Sequence, residues 1–310
     1  MRRLARGLAF AGLLACGTAH AFSFQLCDRP REPSAGERDV MLRFGALVRD
    51  ELGRSGQDVV LVARSGLDLH RLDVRYSHEA VALKDNDGKP WSVRELYFSC
   101  DEHRPRVYDE GLAGFLMGTD DPGIGYVSLV FLPADRAAPL RETAVDKRHA
   151  LGVLGASYSA NAYPFSTRHQ NCNQWVMELL AEAWAPRVPA GDTPGARTDA
   201  DARASAQAWL RAQGYLPTVF TVSAHAMTWL PAVVPWLSDD DHPPEELAHG
   251  RYNVSMPSSI ETFVQATVPG ATRVELCHAG RRVVLHRGWD DVAEGCVAGP
   301  GDQVTELSAD

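Results

Sequence analysis

A helix that opens on a cysteine is the feature around which this chain has to be built. The stretch Arg168-His169-Gln170-Asn171-Cys172-Asn173-Gln174-Trp175-Val176-Met177-Glu178-Leu179-Leu180 passes from polar, turn-forming residues into apolar side chains at Trp175, Val176, Leu179, Leu180 and Ala183. That spacing predicts one helical face, with Cys172 at or just inside the N-terminus. The unpaired N–H groups of a first turn, with the helix dipole, favour negative charge. A thiol there ionises more readily, and the thiolate is the reactive species. The same N–H groups can hold the oxyanion of an acyl-transfer intermediate. The plainer alternatives for Cys172 are a small buried hydrophobe or half of a disulfide.

The cysteine count bears on that choice. Met1-Arg2-Arg3-Leu4-Ala5-Arg6, the apolar run Leu8 to Ala15 and then Ala19-His20-Ala21 have the basic start, short apolar core and small-x-small site of a secretory signal over 1–21. A second cleavage competes, because Leu13-Leu14-Ala15-Cys16 resembles a bacterial lipobox with Cys16 acylated. The expected location is therefore periplasmic or secreted, or anchored through Cys16. The exported chain would keep Cys27, Cys100, Cys172, Cys277 and Cys296, an odd number in an oxidising compartment. Pairing Cys277 with Cys296 and Cys27 with Cys100 leaves Cys172 as the free thiol. Four cysteines allow three connectivities, so this pairing is an expectation.

Loss of Arg2, Arg3 and Arg6 would take the formal charge from −9 to −12. An acidic chain without a basic run is a poor partner for nucleic acid. After the signal, no run reaches the ~18 apolar residues of a transmembrane segment. No Walker loop, dinucleotide fingerprint, Cys-x-x-Cys pair or internal repeat is present, so no cofactor is expected. The acidic triple Asp239-Asp240-Asp241 with His242 lacks calcium-loop spacing and reads as a solvated turn, not a metal site. Oligomeric state is left open.

In chain order, Arg38 to Leu52 predicts a helix and Asp58 to Ala63 a strand. Arg75 to Leu83 and Trp91 to Phe98 form a hairpin across a polar loop containing Asp87-Gly88. A turn centred between Asn86 and Asp87 sets His78 opposite Glu95, on one face, where a carboxylate can orient an imidazole. A slip in register would bring Glu79 or Ser92 into consideration. The alternative for His78 is a structural histidine on a half-buried strand. Residues 101–111 read as polar turns, Tyr126 to Pro133 as a strand, Ala137 to Leu154 as a helix, Ala185 to Asp201 as a linker and Ala202 to Gly214 as a helix. Trp229 to Pro235 is irregular, and Thr272 to Cys277 with Arg281 to Arg287 makes a second hairpin. Trp91 and Trp175 are expected in the core.

The order His78, Glu95, Cys172, histidine on a strand and cysteine opening a helix, resembles the circularly permuted branch of the papain-like NlpC superfamily, which includes lecithin:retinol acyltransferase-like proteins. More closely, Arg75-Tyr76-Ser77-His78, Trp91-Ser92-Val93-Arg94, Gln170-Asn171-Cys172-Asn173-Gln174-Trp175 and Ser255-Met256-Pro257 are similar to an exported bacterial family, domain of unknown function 2145. The resemblance implies an α+β fold with a permuted papain-like core, residues 22–185 including an N-terminal leader. In it an antiparallel sheet packs on the cysteine helix, and a C-terminal extension, 186–310, packs on the core. It implies Cys172 as nucleophile and His78 as base; Glu95 as orienter rests on the hairpin register. Asn171, Gln170 and His169 would flank the oxyanion site. The expected activity is a thiol hydrolase or acyltransferase acting on amide or ester bonds, with peptidoglycan or an acylated molecule as substrate. The alternative is a non-catalytic envelope binding protein.

Overall fold

The computed structural model describes residues 33–67, 69–86, 89–186, 199–222 and 236–308. The predicted signal, Cys16, Cys27, Asp87-Gly88, most of the predicted linker and residues 229–235 lie outside them. The described elements are α1 (Ala35–Arg54), β1 (Val59–Arg64), a 3-10 turn (His70–Leu72), β2 (His78–Asn86), β3 (Lys89–Ser99), β4 (Arg104–Gly111), α2 (Leu112–Met117), β5 (Ile124–Phe131), α3 (Ala134–Val145), α4 (Lys147–Gly152), α5 (Cys172–Trp184), α6 (Asp199–Ala212), β6 (Thr218–Thr221), α7 (Pro244–Ala248), β7 (Arg251–Val254), α8 (Pro257–Thr267), β8 (Thr272–Ala279), β9 (Arg282–Arg287) and β10 (Gln303–Glu306).

This is an α+β fold. Eight antiparallel strands form one sheet in the order β10-β9-β8-β5-β1-β2-β3-β4, and β6 with β7 forms a separate two-stranded ribbon. All six residues of β1 are buried, because helices cover both faces of the sheet there. Val60 and Val62 pack with Phe44, Val48 and Leu52 of α1 and Phe115 of α2. Val59 and Leu61 pack on the other face with Trp175, Val176, Leu179 and Leu180 of α5 and with Leu140, Ile260 and Phe263 of α3 and α8. Each such side chain contributes roughly 1.5–3 kcal/mol of burial. Helix α5 lies inside this second layer, buried from Cys172 through Ala181. Among the described residues no helix is long and apolar enough to cross a membrane.

Several local expectations need correction. The helix predicted over Ala137 to Leu154 is two helices, because Asp146 leaves α3 and its side chain accepts from Arg148 N at 2.9 Å to cap α4. Residues 104–111 are not turns but β4, an edge strand with one buried residue, Pro105, so it carries no apolar alternation to read. The strand expected from Arg75 starts at His78. The Asp239–His242 turn is solvated only in part: Asp240 is exposed, whereas His242 is buried with Nε2 on Asn161 O at 2.7 Å, and Asp241 accepts from Tyr163 N at 3.0 Å. Residues beyond 185 do more than pack on the core, since β8 pairs with β5 along eight residues inside the main sheet.

Candidate active site

Three element ends meet where β1 finishes at Arg64, β2 starts at His78 and α5 starts at Cys172. Asn171 is the N-cap of α5, its Oδ1 accepting from Gln174 N at 2.6 Å, which makes Cys172 the first helical residue. Asn173 fastens that helix start to the sheet. Its Oδ1 accepts from Glu79 N at 2.8 Å, and its Nδ2 donates to Ser77 O at 3.3 Å and Ser255 O at 3.1 Å. The Cys172 thiol donates to the same Asn173 Oδ1 at 3.6 Å, so the sulfur is two short contacts from the backbone next to His78.

The hairpin register differs by two residues from the expected one. Observed pairs are Val81 with Arg94, Ala82 with Val93 and Leu83 with Ser92. Continuing the register sets Tyr97, not Glu95, opposite His78, and the two rings are 5.5 Å apart. A shift of two keeps every side chain on its face, so Glu95 still reaches His78 diagonally and hydrogen-bonds Nε2. Glu79 and Ser92 project from the other face by strand alternation. Burial, then the charge of Glu261, holds the Glu79 carboxyl well above the ordinary range.

Around His78 the same face gathers residues that the sequence reading did not single out. Arg64, paired with His78 across β1 and β2, donates to Gly118 O and lies 5.1 Å from the Phe115 ring centroid. A Cβ at Gly118 would collide with that guanidinium, so a side chain there would displace Arg64. Glu110, opposite Val93, hydrogen-bonds Glu95. Burial, then the hydrogen bond and the charge of Glu95, push Glu110 up to about 8. Burial also raises Glu95, opposed by the Glu110 hydrogen bond and the Arg64 charge. Of the two carboxyls, Glu110 is the one held in its protonated form by the shared hydrogen bond, which in turn favours the ionised form of Glu95.

Nε2 is taken by Glu95, and His78 Nδ1 has no hydrogen bond among the described residues. His78 and Cys172 line one cavity of about 580 Å³. No hydrogen bond joins them among the described residues; Tyr158, which lines the same cavity, hydrogen-bonds Cys172 through its hydroxyl. Burial, then the Cys172 charge, raises this phenol well above its usual value, which keeps it a donor.

The predicted flanking residues have different roles. His169 bonds Ser157 Oγ at 2.9 Å through Nδ1 and Asp240 Oδ1 at 2.7 Å through Nε2. Gln170 is buried, accepting from Gly155 N and donating to Val153 O and Glu178. The Asn171 amide donates to Ala160 O and Ser255 O. These side chains hold the loop before α5 in place and have no donor left for an oxyanion. The backbone N–H groups of Cys172 and Asn173, at the open first turn, keep that capacity.

Cys172 is the free cysteine among the described residues. Cys277 and Cys296 are bonded to each other, and Cys100 is disulfide-bonded while Cys27, its expected partner, lies outside the described residues. Trp175 is fully buried, with Nε1 donating to Ala150 O at 3.0 Å, and Trp91 is also in the core.

No curated protein and no solved structure matches the chain. Residues 51–264 match the model of a family described as an uncharacterized protein conserved in bacteria (DUF2145). That span runs from the end of α1 into α8 and takes in Arg64, His78, Glu95, Glu110, Tyr158 and Cys172, and the chain belongs to this bacterial family.

Proposed function

We propose that this protein is an exported thiol hydrolase or acyltransferase, papain-like in arrangement, that cleaves amide or ester bonds through Cys172, His78 and Glu95. The observation that carries the reading is an imidazole whose Nε2 is held by a buried carboxylate and which lines, together with Cys172, a single cavity. In this mechanism Nδ1 takes the Cys172 proton and the sulfur attacks the substrate carbonyl. Tyr158 O–H and the first-turn N–H groups stabilise the charge on sulfur and on the oxyanion in turn. His78 then protonates the leaving group, and water or an acceptor alcohol or amine releases the acyl group from Cys172. Glu95 fixes the ring and stabilises its cation. Glu110, holding a proton against Glu95, is a positioning residue one step further out.

The Cys277–Cys296 disulfide supports an oxidising, extracytoplasmic location. Peptidoglycan amides and acylated envelope molecules are the substrates that location offers. A second reading, a non-catalytic binding protein, draws on the thiol donating to Asn173 Oδ1 instead of to His78.

The two readings part on a trapping experiment. Mixing the protein with p-nitrophenyl acetate, quenching in acid and mapping peptides by mass should find acetyl on Cys172 in the wild type, little in His78→Ala and none at that position in Cys172→Ala. A folded wild type with no adduct at Cys172 would sink the nucleophile and leave the binding protein.

A further inference from the structure

The cavity beside Cys172 is chemically lopsided. Its polar lining residues are mostly engaged with protein partners: Arg64 with Gly118 O, Ser77 Oγ with Leu67 N at 3.0 Å, Asn173 with Glu79, Ser77 and Ser255, and Asn161 Oδ1 with Ser159 Oγ at 2.7 Å. The reactive pair Cys172 and His78 shares the lining with Arg64, Asp120 and the phenols of Tyr97 and Tyr158. The rest of the lining includes Leu69, Leu72, Phe220, Val222, Val254 and Met256. The ribbon of β6 and β7 builds much of this apolar part by packing Tyr252, Val254 and Met256 with Leu69, Phe220 and Val222. The apolar surface continues to the outside, where Leu67 is 59% and Leu72 48% exposed at the rim.

A peptide or glycopeptide in that space would bring an N–H and a C=O with every residue, each needing a partner when it leaves water. Side chains of leucine, valine, phenylalanine and methionine supply none. A polymethylene chain asks for none and is favoured by burial.

We infer that this cavity binds an unbranched apolar acyl chain with its carbonyl carbon at Cys172 Sγ, so that the substrates are acyl esters or thioesters of envelope molecules and not peptidoglycan stem peptides. The inference rests on the thiol-enzyme reading for the chemistry, but not for the binding. With a p-nitrophenyl ester the S–C(acyl) bond forms as the C–O bond to p-nitrophenolate breaks, and the sulfur's proton goes to His78. Water then adds to the thioester carbonyl, the C–S bond breaks and the proton returns to sulfur, giving the free acid.

The test measures the p-nitrophenol burst with acetyl, butyryl, hexanoyl and octanoyl esters, and in parallel the displacement of Nile red from Cys172→Ala by ethanol, octanol and dodecanol. The burst rate constant at limiting ester should rise with chain length, up to about fourfold per buried methylene, the equivalent of about 0.8 kcal/mol. Leu72→Glu, a change at an exposed position, should lower the octanoyl-to-acetyl ratio. Dodecanol should displace Nile red at far lower concentration than ethanol. A burst that is flat or falls with chain length, together with no length dependence in displacement, overturns the acyl-chain pocket while leaving Cys172 acylation standing. Length-dependent displacement with no burst from any ester supports the pocket and removes the nucleophile.

Discussion

Helix α5 carries one buried polar cluster along its side and adjoins another at its start, and the two are built alike and end differently. Along the helix, Glu178 is fully buried and its oxygens accept from Arg203 Nε and Gln170 at 2.7 Å, from Gln207 at 2.7 Å, and from Gln174 and Arg203 Nη2 at 3.1 Å. The remaining Arg203 donors reach the Thr167, Ser166 and His169 carbonyls. At the helix start, the second cluster likewise sets a buried carboxylate, Glu95, near an arginine, Arg64. Among the described residues it leaves His78 Nδ1 without a hydrogen bond, and His78 lines a cavity with a free thiol. A closed cluster holds the loop before α5, whereas an open one retains capacity for a substrate. Burial and charge pairing alone do not separate structure from function; unsatisfied capacity facing a cavity does.

Substitutions should fall on the two sides of this comparison. His78→Ala should lower the acylation rate by roughly a hundredfold to ten-thousandfold, read from the ester burst, while thermal unfolding changes little. Arg203→Ala should do the reverse. It leaves Glu178 buried without its cation, and urea unfolding should report about 3–5 kcal/mol of lost stability. If Arg203→Ala instead abolished acylation in a protein of normal stability, the closed cluster would have to be counted in the site. Cys277→Ser, opening a bond that spans 19 residues and belongs to neither cluster, should cost about 3 kcal/mol in the same assay without altering the burst.

The smallest effect sharpens the open cluster. Glu110 stays protonated in the fold to about 8, whereas the unfolded carboxyl ionises near 4.5. Between those values the folded state binds more protons, so stability falls as pH rises through that window. Glu261, raised to about 7 by burial, acts in the same direction, so the readout is a difference. Glu110→Gln should flatten part of the decline in melting temperature from about pH 5 to about pH 8, and parallel curves for variant and wild type would separate Glu110 from the Glu95 proton.

Much of the open cluster was legible because its signals are local. A polar run ending in Asn171 and followed by apolar residues at helical spacing predicts a helix start at Cys172, and Asn171 caps it there. His78 and Glu95 were linked by a hairpin whose register was wrong by two, and the even slip preserved the face. Glu110 was hidden because β4 is an edge strand without apolar alternation, so its residues read as turns. Arg64 and Tyr158 come from a strand end and a loop brought in by tertiary packing. The insertion of β8 beside β5 joins residues about 150 apart, a distance that no periodicity reports. The closed cluster was likewise invisible, because Glu178 and Arg203 lie on different helices and each alone reads as a surface charge.

The central claim is that Cys172 is an activated nucleophile and not a buried structural thiol. It is tested most directly by the rate of iodoacetamide alkylation at Cys172, located by peptide mapping, in the folded non-reduced protein and in the same protein unfolded in urea at neutral pH. Cys172 is only 7% exposed, so burial alone would slow the reaction on folding. The account predicts faster alkylation in the folded protein, with the acceleration lost in His78→Ala. Slower alkylation in the folded protein, unchanged by His78→Ala, would contradict it.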